Sequence, residues 1–182
     1  MAEGLGERDF RQIPLATAID RVSDIELLIR IYSKRNKAEE ALNLLNELKA
    51  TSGLINTLPL KAAALSAEGI FAYSTKDYTA ARHCLEDAVD LYDKVILPFE
   101  ASRSRLVLEE VLMNLYQHSH AESALYTAIQ VFGKMGATKD LATARYILKN
   151  LYSEKMKPGA GDYIYEFTAR ELEILGLIAK GK

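Results

Sequence analysis

The stretch DYTAARHCLEDAVDLYDK, residues 77–94, has a counterpart forty residues away in each direction: AEEALNLLNELK from Ala38 and SHAESALYTAIQVFGK from Ser119. Set in register, Ala41, Ala81 and Ala121 share one column, Leu45, Leu85 and Leu125 a second, and Leu48, Ala88 and Ala128 a third. The later two copies go on agreeing at Val89 and Ile129, Leu91 and Val131, Tyr92 and Phe132, and Lys94 and Lys134. Self-similarity at a fixed period of this length marks a repeat architecture. Ala-x3-Leu-x2-Ala puts a small, a large and a small side chain on one helix face within about two turns. The small residues let a neighbouring backbone come close, and the leucine fills the space between.

Each of these helices follows another. Ile25–Tyr32, Leu65–Tyr73 and Leu106–Tyr116 carry apolar stripes at helical spacing. The polar turns SKRNK, STKDY and YQHSHA are short enough to leave only antiparallel neighbours. Thr138–Tyr152 adds a final stripe of Leu141, Ala144, Ile147, Leu148 and Leu151, suited to covering the open end of a stack. The expected fold is all-α. About seven helices between residues 15 and 152 stand in consecutive hairpins around a single continuous core, followed by one C-terminal helix. SEKMKPGAGD, residues 153–162, has the composition of a linker. The expected division is a repeat arm over 1–152, a linker over 153–166 and a further segment over 167–182.

The Ala-x3-Leu-x2-Ala helix, with Gly69 twelve residues before Ala81 and the Asp77-Tyr78 turn, resembles the tetratricopeptide repeat. Tryptophan is absent, Ile29 and Glu109 stand where the glycine belongs in the other copies, and forty residues exceeds the usual length of about 34. Longer repeats of this kind, notably ARHCLEDAVDLYDKVILPFEASRSRLVLEEVL, resemble the sensor arms of LuxR-family, MalT-like bacterial regulators. The C-terminal FTARELEILGLIAKGK, residues 167–182, fits that likeness. Thr168 is a helix N-cap with Glu171 completing a capping box, and Phe167 and Leu172 have the spacing of a hydrophobic staple. Thr168, Arg170, Glu171, Glu173, Leu175 and the Leu177–Gly181 tail resemble the first helix of the LuxR-type helix-turn-helix domain; Ala169 and Gly176 depart from it.

That resemblance implies an effector-binding arm of a transcriptional regulator, with Thr168, Arg170, Glu171, Leu172 and Leu175 as scaffold of a DNA-binding domain whose reading helix would lie beyond Lys182. It implies no DNA-reading residue within these residues. The tetratricopeptide register further implies a concave groove for a protein or small-molecule effector, lined by Arg30, Lys34, Ile70, Tyr73, Arg103, Glu110 and Met113. The competing expectation is a stand-alone interaction scaffold of the same repeats. A homodimer is compatible with either.

Net charge is −2, so the total charge does not itself call for nucleic acid or an anionic membrane. A single cysteine, Cys84, fits a reducing cytoplasm. No stretch has the length of a membrane span, and the N-terminus lacks a secretory pattern. His118-Ser119-His120 reads as a solvated turn rather than a metal site, and Cys84 as a packed thiol. GKMGATK, residues 133–139, lacks the strand and lysine spacing of a phosphate loop; Gly136 reads as a helix C-cap. The carboxylate pairs Glu39-Glu40 and Glu109-Glu110 read as solvated surface charges. No catalytic residue, metal or cofactor is expected.

Overall fold

In a computed structural model, which describes residues 22–155, the backbone turns left-handed every twenty residues. Asn36, Asn56, Lys76, Ile96, Tyr116 and Gly136 have φ of 57°, 56°, 65°, 60°, 59° and 70°. Between these points lie α1 (Val22–Lys34), α2 (Ala38–Ile55), α3 (Leu58–Ser74), α4 (Tyr78–Lys94), α5 (Pro98–Asn114), α6 (His118–Met135) and α7 (Thr138–Lys155). The described residues form an all-α stack of antiparallel helical hairpins. The chain divides after Leu148; of the second unit only the end of α7 is described.

The hydrogen bonds explain why the turns repeat. At Asn36, the left-handed N–H donates to the Ser33 carbonyl, and the next N–H, of Lys37, donates back to Tyr32 at 2.9 Å. The same pair of bonds closes α3 onto Ala72 and Tyr73, α4 onto Tyr92 and Asp93, α5 onto Leu112 and Met113, and α6 onto Phe132 and Gly133. This is the Schellman closure, which satisfies carbonyls that a helix end leaves free. Only α2 ends differently, with a single bond from Asn56 N–H to Ser52. The residue receiving the bond from five positions ahead also faces inward each time: Tyr32, Ala72, Tyr92, Leu112 and Phe132 are all buried. The turns and the core thus share one register. Pro98 at the start of α5 and Pro59 near the start of α3 sit where a helix has no use for the missing N–H. At the start of α4, Asp77 Oδ1 accepts from Ala80 N–H at 3.0 Å.

The Ala41, Ala81 and Ala121 column is wholly buried, and Ala101 on α5 joins it at half the spacing. Helix α3 is buried around most of its circumference, with Lys61 and Glu68 on the one face left outward. Its Ala64, Ala67 and Ile70 pack with Ile25, Ile29, Leu45 and Leu48 of α1 and α2. Its Ala62 and Ala63 pack with Ala88, Tyr92 and Ala101, and Ala72 with Ala81, Leu85, Leu108 and Val111. The core runs as successive clusters joined through Val22 and Val107. Hairpins in such a stack can share apolar surface only with their neighbours.

Three boundaries differ from expectation. Helix α5 stops at Asn114, because Tyr116 takes the left-handed turn. His118-Ser119-His120 is consequently the first turn of α6 and not a solvated loop. Helix α7 runs to Lys155, into the stretch expected as linker. Residues 15–21, the rest of 153–166, and 167–182 with Thr168, Arg170, Glu171, Leu172 and Leu175 lie outside the described residues.

A β-branched residue at positive φ is strained, at about 1–2 kcal/mol. Ile96 has φ of 60° and a side chain 82% exposed, so its burial offsets little of that cost. Ile96→Asn should raise stability by about 1 kcal/mol, seen as a higher urea midpoint with unchanged slope. An unchanged or lower midpoint would contradict the strained-turn account.

Candidate functional site

Helices α1, α3 and α5, the first of each described hairpin, wall a cavity of about 380 Å³ together with α7. Helix α1 contributes Arg30, Ser33 and Lys34; α3 contributes Ile70, Tyr73 and Ser74. Lys76 and Tyr78 come from the turn into α4, Leu106, Val107 and Glu110 from α5, and Thr143 and Ile147 from α7. Residues of α1, α3 and α5 recur at forty-residue intervals here, as in Arg30, Ile70 and Glu110. They meet because each hairpin repeats the same turn and the same buried column.

Of the seven residues expected in the groove, Arg30, Lys34, Ile70, Tyr73 and Glu110 line this cavity. Arg103 does not line it, but its charge acts on both Glu26 and Arg30. Met113 belongs elsewhere. It packs with the α3–α6 cluster, and its sulfur lies 3.3 Å from His118 Nδ1. The register pointed to α1, α3 and α5 but treated α7 only as a cover. Thr143 and Ile147 stand forty residues after Arg103 and Val107, so the same spacing contained that wall.

The chemistry of the lining is mixed. Tyr73 packs against Tyr78 with ring centroids 6.0 Å apart. Burial, and then Glu110, push the Tyr73 hydroxyl up to about 12, so it stays protonated and donates to the Glu110 carboxylate. Arg30 Nε and Ser33 Oγ are shut off from solvent without a hydrogen-bond partner. A buried polar group left unpaired costs about 1–3 kcal/mol. Burial, followed by repulsion from Arg103, lowers the pKa of Arg30.

Two carboxyls near the same helices are displaced strongly. Glu26 on α1 accepts a hydrogen bond from the Tyr92 hydroxyl at 3.1 Å. Burial outweighs that bond and the nearby Arg103 and Arg30, raising Glu26 from 4.5 to about 7. Glu109 on α5 is only 3% exposed, and its Oε2 has no partner. Burial, with the adjacent Glu110 adding to it, raises Glu109 from 4.5 to about 7 as well. The expectation that Glu109-Glu110 is a solvated pair is thus wrong for Glu109, whereas Glu110 is exposed. Glu109 occupies the register position of Gly69, on the helix face turned toward the following helix. That register was the available signal.

Cys84 is partly buried, and burial raises its thiol pKa, the reverse of an activated nucleophile. Among the described residues no His, Cys, Asp and Glu cluster is arranged to hold a metal ion. No helix among them is long and apolar enough to cross a membrane. No protein-family profile matches this chain, and no curated protein sequence does either.

The raised carboxyls fix a sign. The fold favours protonated Glu109 and Glu26 more than the unfolded chain does. Their contribution is therefore fully present below about pH 4.5 and is lost as pH rises toward 7. Glu109→Met removes one of them while keeping side-chain volume. Stability at pH 7.5 should rise by about 1–3 kcal/mol, with much less change at pH 4.5. Equal urea-midpoint shifts at the two pH values would contradict the burial of an ionisable Glu109.

Proposed function

We propose that this chain is the effector-binding repeat arm of a LuxR-type transcriptional regulator acting in the cytoplasm. The observation that carries the effector half is the cavity itself, walled by α1, α3, α5 and α7 and carrying polar groups that lack partners. Ligand sites are concave, mostly apolar and equipped with a few polar groups that fix orientation. The DNA half rests on the likeness of Thr168, Arg170, Glu171, Leu172 and Leu175 to the first helix of the family's DNA-binding domain. A helix-turn-helix reads base edges with its second helix, so DNA recognition would belong to helices following this one.

The alternative reading is a scaffold of the same repeats that takes a protein partner and never meets DNA. It draws on the hairpin stack and cavity alone, without the C-terminal likeness. Both readings accept that the occupied face is the one formed by α1, α3, α5 and α7.

The regulator reading predicts what the coding DNA holds after codon 182: a Ser- or Asn-containing turn and then a helix rich in Lys and Arg. It also predicts that the 182-residue chain binds no promoter fragment specifically at physiological salt, and that the extended chain does. A stop codon directly after Lys182, or an extended chain indifferent to promoter sequence, would leave the scaffold reading in its place.

A further inference from the structure

We infer that the cavity among α1, α3, α5 and α7 takes a small organic anion, a carboxylate or phosphate ester carried on a single flat apolar ring. The inference rests on the groove reading above and specifies its ligand.

The charge of the wall is one-sided. Arg30, Lys34 and Lys76 line it against a single lining carboxylate, Glu110, which already accepts from the Tyr73 hydroxyl. Arg30, Ser33 and Lys34 fall three and four residues apart, on one face of α1. That turn gathers a guanidinium, a hydroxyl and an ammonium in one place, and two of its polar atoms, Arg30 Nε and Ser33 Oγ, have no hydrogen-bond partner. Buried polar groups in folded proteins are almost always partnered, so this pair leaves a demand that an acceptor in the cavity would meet once the two side chains turn toward it. A carboxylate or phosphate is the acceptor whose planar or multiple oxygens suit an arginine.

The neighbours sharpen this. Glu26, Glu110 and Asp140 act on Arg30 through space, and Arg103 repels it. Burial raises Glu26 to about 7, so near neutral pH it is only partly charged and offsets Arg30 less than a full carboxylate would. Apolar and aromatic surface is also supplied to the lining, by Ile70, Tyr73, Leu106, Val107 and Ile147. A volume of about 380 Å³ lies near the lower end of ligand pockets, room for one ring and its head group and too small for a folded peptide segment.

The test is a titration of the full 182-residue chain with four probes: phenyl phosphate, benzoate, benzyl alcohol and inorganic phosphate. Affinity and the NMR shifts of Ile70 and Tyr73 are followed together. Phenyl phosphate or benzoate should bind at least about tenfold tighter than benzyl alcohol, and the aromatic anion tighter than inorganic phosphate. Arg30→Gln should lower that affinity at least about tenfold. Because Arg30 is partly buried, the exposed pair Lys34→Gln with Lys76→Gln provides a variant that spares the fold and should weaken the anions but leave benzyl alcohol unchanged. If benzyl alcohol matches the anions while Ile70 and Tyr73 shift, the anion inference fails and the groove reading stands. If inorganic phosphate matches phenyl phosphate, the ring specificity fails. If no probe moves Ile70 or Tyr73, this inference is overturned; the coding sequence and promoter assays still decide the regulator reading separately.

Discussion

Helices α3 and α4 approach as closely as they do because Gly69 has no side chain. A Cβ added there would stand 2.6 Å from Leu85 Cγ, closer than packed atoms allow, and a tight 3.2 Å from the Ala81 carbonyl oxygen. Leu85 fills the space that a Cβ would need, and Ala81 and Ala88 on the same face leave the backbones room to meet. Much else follows from that contact. Helix α3, buried on most of its surface, becomes the element about which α1, α2, α4 and α5 assemble. The left-handed turns then return each helix at the same phase, and the first helices come together around one cavity. The flanking hairpins lack the glycine. Ile29 fills its place in the first with an apolar side chain, and Glu109 fills it in the third with a carboxyl that finds no partner.

The forty-residue repeat was readable because its signal is local: small and large residues alternating along one helix face need no knowledge of the partner. The twenty-residue period beneath it was not read, although Ala101 falls midway between Ala81 and Ala121. Three of the six left-handed positions, Lys76, Ile96 and Tyr116, hold residues that do not announce a turn, and only Asn36, Asn56 and Gly136 do. Glu109 was misread for a related reason. Adjacent carboxylates in sequence project about 100° apart on a helix, so one can be buried while the other is wet. The column it shares with Gly69 placed it inside, whereas its residue type argued for the surface. Arg103 and Met113 show the limit of register alone, since neither lines the cavity although both stand on the helix that does.

A stack whose hairpins touch only their neighbours has few ways to couple distant repeats. The cavity is one of them, because its walls come from α1, α3, α5 and α7. An occupant bridging α1 and α5 would tie together hairpins that otherwise communicate through α3. The groups that make the cavity costly for the fold, Arg30 Nε and Ser33 Oγ without partners, are the same groups that a ligand could satisfy. Departures from local stability rules tend to gather where a protein does something other than fold.

The close approach of α3 and α4 is tested most directly by a double-mutant cycle on Gly69 and Leu85. Gly69→Ala gains about 1 kcal/mol in helix propensity, but the displaced leucine should reverse that and leave a net loss of about 1–2 kcal/mol. In a Leu85→Ala background only the tight approach to the Ala81 carbonyl remains, and Gly69→Ala should become close to neutral or stabilising, giving a coupling of at least about 1 kcal/mol. Additive effects, with Gly69→Ala costing the same in both backgrounds, would show that the two helices are not held at the distance that Gly69 permits.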